Sequence, residues 1–296
     1  MPLQNRYREF HDKIKLTRED DKYKAAREKD DAIKAKIEAA FKAAEYEVLP
    51  SFIQGSMAVH TGIVPLEGDY EVDRGLVITR DTSPDDPVEP KKIAKQVLSA
   101  HGFSAPRIKK PCVTADYASA PIHVDYPVYR MDTLEHYQLA IGKENAKDEN
   151  KKWDDAAPKA LIEWIKSSTN HQQILTALTQ AQKHQFYRVV RYLKRWRDNK
   201  SEEIRRKVFS IALTVMAKES FCPCEDEGGN PDDNLALKKT LDVILDQKGY
   251  FLSLGDEQYS IVVHIPVTPN RDIFDGRGYQ VGTVLRNRMV RLRDAL

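Results

Sequence analysis

Between residues 69 and 78 the chain reads DYEVDRGLVI, and this run constrains the fold more than any other. Asp69, Glu71 and Asp73 occupy alternate positions, and Leu76, Val77 and Ile78 follow without a break. In an extended strand alternate side chains point to one face, so the carboxylates share a side. Like charges on one face repel and call for a cation to offset them. The apolar residues that follow place the acids at the rim of a core. A solvated strand face is one reading of this pattern. The other is a cation site, because carboxylate oxygens with retained water are the ordinary ligands of Mg²⁺, which also binds substrate phosphates.

The rest of the chain is organised around that strand. Residues 21–46 read as one helix, with Ile33, Ile37, Ala40, Phe41 and Ala44 at helical spacing. From residue 48 to 129 the β-like runs EVLPSFIQG, YEVDRGLVI, PCVTADYA and PIHVDYPVY alternate with turns. One helix, residues 91–101, interrupts them and stops at Gly102. DTSPDDPVEP is a loop by composition. Beyond residue 133 the pattern turns helical, with helices expected over 158–166, 171–199, 201–221, 233–247 and 273–296. Asn170 and either Asp232 or Asp233 are the expected N-caps, and YSIVVHIPV is one further β-like run. The order of elements implies an α/β or α+β fold with a small sheet. The polar stretch KENAKDENKKWDDAA, residues 143–157, reads either as the boundary between two halves or as a surface loop.

Composition narrows the setting. A chain of 296 residues with 41% hydrophobic and 31% charged residues can bury a substantial core. The net charge of +2 neither supports nor excludes nucleic-acid binding. No apolar run approaches the ~20 residues that span a bilayer, and the charged N-terminus lacks a signal-peptide core. Three cysteines give no disulfide framework, which fits a cytoplasmic protein. Cys222 and Cys224 have only Cys112 for company and no neighbouring histidine, too few ligands for structural zinc.

The chemistry is expected around residues 54–78. Gly55 lets the backbone approach a phosphate closely. The Ser56 hydroxyl and the first N–H groups of a following helix suit phosphate oxygens. Asp125, in PIHVDYPVYR, lies on the strand face it shares with His123. Beside the first acids it would complete a two-metal site; alone it reads as an exposed position. His123 reads as a packed or hydrogen-bonded histidine rather than a ligand. Arg107, Lys109 and Lys110 mark a solvated or substrate-facing strand. Arg188, Arg191, Lys194, Arg195 and Arg197 read as the wet face of a helix, with Val189, Val190, Leu193 and Trp196 inside; the alternative is that Arg191, Lys194 and Asp198 share a face, extended by Arg188 and Arg195, that clamps a triphosphate.

QGSMAVHTGIVPLEGDYEVDRGL resembles the signature of the bacterial CD-NTases, the cGAS/DncV-like enzymes of the polymerase-β nucleotidyltransferase superfamily. Thr61, Pro65, Glu71 and Asp73 match the pattern, with Glu71 where most relatives carry aspartate. The looser superfamily spacing would also accept Asp69 and Glu71 as the pair. HVDYPVY resembles the strand of the third carboxylate, RVVRYLKRWRD the helix with a phosphate-contacting lysine, and KVFSIAL the helix with a following serine.

The resemblance implies an α+β fold: a polymerase-β-like core with a small mixed sheet, a long N-terminal helix and a helical C-terminal half. It divides the chain into residues 1–150 and a helical domain, 151–296, that closes the active-site cleft. Glu71, Asp73 and Asp125 are then the catalytic, metal-holding acids. Gln54, Gly55, Ser56, Lys194 and Ser210 bind the nucleotide, and Mg²⁺ is the cofactor, with Mn²⁺ as an alternative. The implied reaction joins nucleoside triphosphates, ATP among them, into a cyclic di- or trinucleotide for antiphage signalling, with a regulatory or effector protein as a further partner. A linear oligonucleotide synthase, an RNA-tailing enzyme and a silent nucleotide- or RNA-binding module are the alternatives.

Overall fold

The computed structural model describes residues 3–66, 68–172, 176–199 and 202–296. The chain opens with α1 (Leu3–Ile14), α2 (Asp21–Ala43), β1 (Val48–Ile53), α3 (Gly55–Ala58), β2 (Tyr70–Thr79) and α4 (Val88–Ala100). Six strands follow: β3 (Phe103–Ile108), β4 (Val113–Tyr117), β5 (Ile122–Tyr126), β6 (Val128–Met131), β7 (Tyr137–Ile141) and β8 (Lys152–Ala156). Then come α5 (Pro158–Lys166), α6 (Gln180–Asp198), α7 (Glu202–Lys207), α8 (Ser210–Ser220) and α9 (Asp233–Asp246). A hairpin of β9 (Phe251–Gly255) and β10 (Gln258–Ile261) leads to α10 (Gly282–Asp294). These elements form two compact units: Leu16–His60 with Pro65–Ile162, and Met1–Lys15 with Thr61–Val64 and Glu163–Leu296.

The first of these units is built on an eight-stranded mixed sheet in the order β3-β4-β5-β2-β6-β7-β8, with β1 paired to β2. β2 is its spine. Its first half runs parallel to β5 and its second half parallel to β6, the two being separated by Pro127. Proline has no N–H for a ladder, but its carbonyl accepts from Leu76 N at 3.0 Å, so the pairing continues past the break. Val72, Leu76, Val77 and Ile78 are at most 2% exposed, which makes β2 a core strand. α2 buries Ala26, Ile33, Ile37 and Phe41, a helical stripe. Asp30 lies buried on that helix and is tied to Arg74 of β2.

The other unit is mostly helical. α8 is buried on all sides, from Ala212 to Lys218, and α6 buries Phe186, Val189, Val190 and Leu193. α1 is held to α6 and α9 by hydrogen bonds from Tyr192 Oη to the Tyr7 carbonyl (3.1 Å) and from Tyr7 Oη to Asn234 (2.9 Å). The Thr61–Val64 strip joins this unit through a bridge from Ile63 to Lys15 and a bond from Val64 N to the Ile14 carbonyl.

Several element boundaries differ from the sequence expectation. The helix expected over 171–199 begins at Gln180, because Thr179 and Gln182 form a reciprocal capping box. Asn170 instead accepts from Gln172 N in a turn, and residues 173–175 of the expected helix lie outside the described residues. The helix expected over 201–221 is two, α7 and α8, and Ser201 lies outside the described residues. α10 starts at Gly282 rather than residue 273, since Asp272 draws the N–H groups of Phe274 and Gly276 into a turn. Residues 143–157 hold a short 3-10 turn and β8, an edge of the sheet. Among the described residues no helix is long and apolar enough to cross a membrane.

Candidate active site

The pairing of β2 with β5 sets Glu71 opposite His123 and Asp73 opposite Asp125. The antiparallel pairing of β4 with β5 adds Asp116 opposite His123 and Thr114 opposite Asp125. Directly paired residues share a face, so three strands present one polar surface: Asp116, His123 and Glu71 in one row, Thr114, Asp125 and Asp73 in the next. The alternate residues Val72, Ala115, Val124 and Tyr126 are fully buried beneath it. This is the acid-bearing core rim that the DYEVDRGLVI pattern implies.

The underside fixes the strands. Arg74 is 5% exposed and donates from Nε and Nη2 to the fully buried Asp30, and from Nη1 to Ser51 Oγ at 3.1 Å. Tyr126 Oη donates to the same carboxylate at 2.9 Å. Because Arg74 and Tyr126 each follow an acid of the polar face, this network holds Asp73 and Asp125 from behind. Removing one partner of such a buried pair costs about 3–5 kcal/mol.

His123 organises the polar face. Its Nδ1 lies 2.5 Å from Asp116 Oδ1, and its Nε2 lies 2.7 Å from Thr114 Oγ1 and 3.5 Å from Asp125 Oδ1. Burial disfavours the imidazolium, but hydrogen bonding to Asp125 and Asp116, and the charges of Asp125 and Glu71, push its pKa up to about 9. Burial likewise works against the Asp125 carboxylate, yet His123, Lys109 and Thr114 together hold it below the usual carboxylate range. Lys109 Nζ stands 3.7 Å from Asp125, and Arg107 stands 3.7 Å from Asp116. Arg107, in β3, and Lys109, just past it, thus turn their charges toward the acids. The buried Cys112 thiol donates to Asp125 at 3.5 Å; burial and that carboxylate push the thiol up.

Glu71, His123 and Asp125 each offer a ligand atom, and these atoms all lie within 4.8 Å of one another. Asp69, Asp116 and His123 meet the same measure. Two carboxylates and an imidazole at that separation suit a divalent cation. Among the described residues Asp73 joins neither group. Its carboxylate rests against Gly55, at the turn from β1 into α3, and its carbonyl accepts from Gln54 N at 3.0 Å. Gln54 is fixed in turn by Tyr129, whose hydroxyl donates to Oε1 at 3.0 Å. Gln54 and Gly55 therefore stand beside Asp73, with Ser56 next in the chain. Thr114 and Asp116 were missed in sequence, although VTADY carries them at alternate positions.

Lys194 and Ser210 belong to the helical unit. The Lys194 ammonium is 3% exposed and donates to the Thr61 carbonyl (3.1 Å) and Oγ1 (2.8 Å). Arg191 donates to the Gly62 carbonyl at 3.0 Å, and Arg195 to the Val64 carbonyl. These three side chains are buried, so this face of α6 is not a solvated one; it grips the Thr61–Val64 strip. Ser210 Oγ accepts from Arg197 Nη1 at 2.6 Å.

Residues 50–129 match the family model described as the nucleotidyltransferase domain of cyclic GMP-AMP synthase DncV-like proteins. No curated protein matches the sequence. Among solved structures, the Bradyrhizobium diazoefficiens CD-NTase CdnG in complex with GTP aligns over 99% of this chain and 91% of its own, at 16% identity and a TM-score of 0.69. Vibrio cholerae DncV cyclic AMP-GMP synthase, in complex with the linear intermediate 5' pppA(3',5')pG, aligns over 83% of this chain and 63% of its own, at 17% identity and a TM-score of 0.57. Escherichia coli DncV in its 3'-deoxy GTP bound form aligns over 81% and 63%, at 17% identity and a TM-score of 0.54. The chain thus spans less than two thirds of the DncV proteins and nearly all of CdnG. At these identities the likeness is one of fold: residues 50–129 match a DncV-like nucleotidyltransferase domain, set in a chain with the CD-NTase fold.

Proposed function

We propose that this protein condenses nucleoside triphosphates into a cyclic di- or trinucleotide that serves as a second messenger in antiphage signalling in the cytoplasm. The observation that supports this most is the convergence of Glu71 and Asp125 on one strand face, with Asp73 seated against the Gly55-Ser56 turn. Mg²⁺, or Mn²⁺ in its place, held by Glu71, Asp73 and Asp125, supplies neutralisation of phosphate charge and a lowered pKa for the attacking hydroxyl.

The chain's own residues position the reactants. Gln54, Gly55 and Ser56 receive the phosphate tail of the donor, and the absence of a side chain on Gly55 leaves room for the Asp73 carboxylate beside that turn. The family resemblance adds Lys194 and Ser210 as further phosphate contacts. Asp125, kept ionised by His123, Lys109 and Thr114, faces the acceptor's ribose hydroxyl. The hydroxyl oxygen bonds to the α-phosphorus while the bond from that phosphorus to the pyrophosphate oxygen breaks, and the hydroxyl proton passes to solvent. Repetition and ring closure give the cyclic product. ATP and GTP are the first substrates to try, given that the CdnG structure holds GTP. A regulatory or effector protein partner fits the same reading.

Incubating the purified protein with all four NTPs and Mg²⁺ or Mn²⁺, followed by mass spectrometry, tests the proposal. A cyclic product supports it. A linear product points to a linear synthase or RNA-tailing enzyme, and turnover of no NTP points to a silent binding module.

A further inference from the structure

We infer that His123 is itself a metal ligand, binding through Nε2 beside Glu71 and Asp125, so that the site has a mixed nitrogen–oxygen donor set and favours Mn²⁺ over Mg²⁺. This rests on the reading above that a divalent cation occupies the acidic face.

Position is the first argument. His123 is paired directly with Glu71 across the parallel ladder and lies two residues from Asp125 on the same face, with ligand atoms of all three within 4.8 Å of one another. Orientation is the second. Asp116 sits 2.5 Å from Nδ1, where a carboxylate accepts and the ring nitrogen donates. That bond keeps a proton on Nδ1 and aims Nε2 toward Asp125 and Thr114, so the proton that Nε2 carries in the metal-free site is the one a cation would displace. Histidines that bind metals almost always donate their other ring N–H to a carboxylate, carbonyl or water, an arrangement that fixes tautomer and ring angle. Thr114 does not block the site: it also hydrogen-bonds Asp125, so its hydroxyl has a second partner when Nε2 is engaged.

The donor set then decides the ion. Mg²⁺ binds oxygen ligands and gives up water reluctantly. An imidazole nitrogen gains more from a first-row transition ion, and Mn²⁺ accepts both nitrogen and carboxylate donors. Asp69 and Asp116, the other acids near His123, do not form a rival nitrogen site, because Asp116 already occupies Nδ1.

Electron spin-echo spectroscopy of Mn²⁺ bound to the full chain, alone and with a non-hydrolysable ATP analogue, tests this directly. We expect nitrogen hyperfine coupling from an imidazole in the wild type. His123→Gln should lose that coupling and weaken Mn²⁺ binding by at least roughly tenfold, while Mg²⁺ binding changes much less. Asp116→Asn should keep the coupling and weaken Mn²⁺ by about tenfold or more, as loss of an orienting carboxylate does. Mn²⁺ that binds in a Glu71-dependent manner but shows no nitrogen coupling would overturn the inference and leave His123 a counter-ion, with the metal site intact. Absence of Glu71- and Asp125-dependent Mn²⁺ binding would instead overturn the metal-site reading, and this inference with it.

Discussion

The carboxylate of Asp73 occupies the space where a side chain on Gly55 would begin: a Cβ built there would stand 2.0 Å from Asp73 Oδ2 and 2.7 Å from its Cγ. Gly55 also has φ +65°, a conformation costing L-residues roughly 1–2 kcal/mol. Gly55→Ala should therefore fold with a modestly lowered melting temperature and displace Asp73. A displacement of about an ångström at a reacting centre costs on the order of a hundredfold in rate. Turnover of NTPs by Gly55→Ala within a few-fold of wild type would show that the seat of Asp73 is unimportant.

Individual acids should behave differently. Glu71→Gln and Asp73→Asn are expected to abolish product formation with melting temperatures near wild type, and Asp69→Asn to retain most activity. Asp125→Asn should stop turnover yet keep much of the affinity for a non-hydrolysable NTP, measured by calorimetry, because the donor's tail has its own contacts. A dead Asp69→Asn beside an active Glu71→Gln would move the assigned pair two residues toward the N-terminus.

Much of this face was readable because strand parity is simple arithmetic. Alternation alone puts Glu71 with Asp73 and His123 with Asp125. What alternation could not supply was the parallel pairing of β2 with β5, a long-range contact that brings Glu71 to His123 and Asp73 to Asp125. The orienting role of Asp116 depends on a third strand and was equally hidden. Helix ends were less legible: Asn170 and Thr179 are both good N-caps, and only the reciprocal Gln182 contact shows which one starts α6. In α6 itself, basic residues at helical spacing suggested either solvent or phosphate. The third option, capture of backbone carbonyls of the Thr61–Val64 strip, requires a tertiary contact that no local pattern encodes.

His11 offers a pH test in the helical unit. Its Nε2 lies 3.0 Å from Arg191 Nη1, which can only donate, so the ring is neutral in the native state. Burial, with the Arg191 charge second, pushes its pKa down to about 4 from an ordinary value of 6.5. The unfolded chain therefore binds a proton that the native chain refuses between those values, and stability is lost as pH falls from about 6.5 to about 4. His11→Gln, which keeps an acceptor for Arg191, should flatten that part of the stability–pH curve relative to wild type. Chemical denaturation at a series of pH values reads the difference, and parallel curves for the two proteins would refute the assignment.

Lys194 has a role in the fold that bears on any role in binding. Its buried ammonium donates twice to Thr61, and a lost bond to a charged donor costs roughly 1.5–3 kcal/mol. Lys194→Ala should thus lower the melting temperature whatever else it does. If the same ammonium also meets the phosphate tail, NTP affinity should drop by about ten- to hundredfold, the equivalent of a second charged hydrogen bond. Arg197 is the comparison: its guanidinium is held by Asp198 and Ser210, so Arg197→Ala should cost far less affinity than Lys194→Ala. Thr61→Val separates the two contributions, since it removes the hydroxyl acceptor while keeping both the lysine and the backbone carbonyl. We expect Thr61→Val to destabilise without the full loss of affinity seen for Lys194→Ala. Dissociation constants for a non-hydrolysable NTP, measured beside melting temperatures for the three variants, decide the matter. A fall in melting temperature for Lys194→Ala with an unchanged dissociation constant would confine Lys194 to holding the Thr61–Val64 strip.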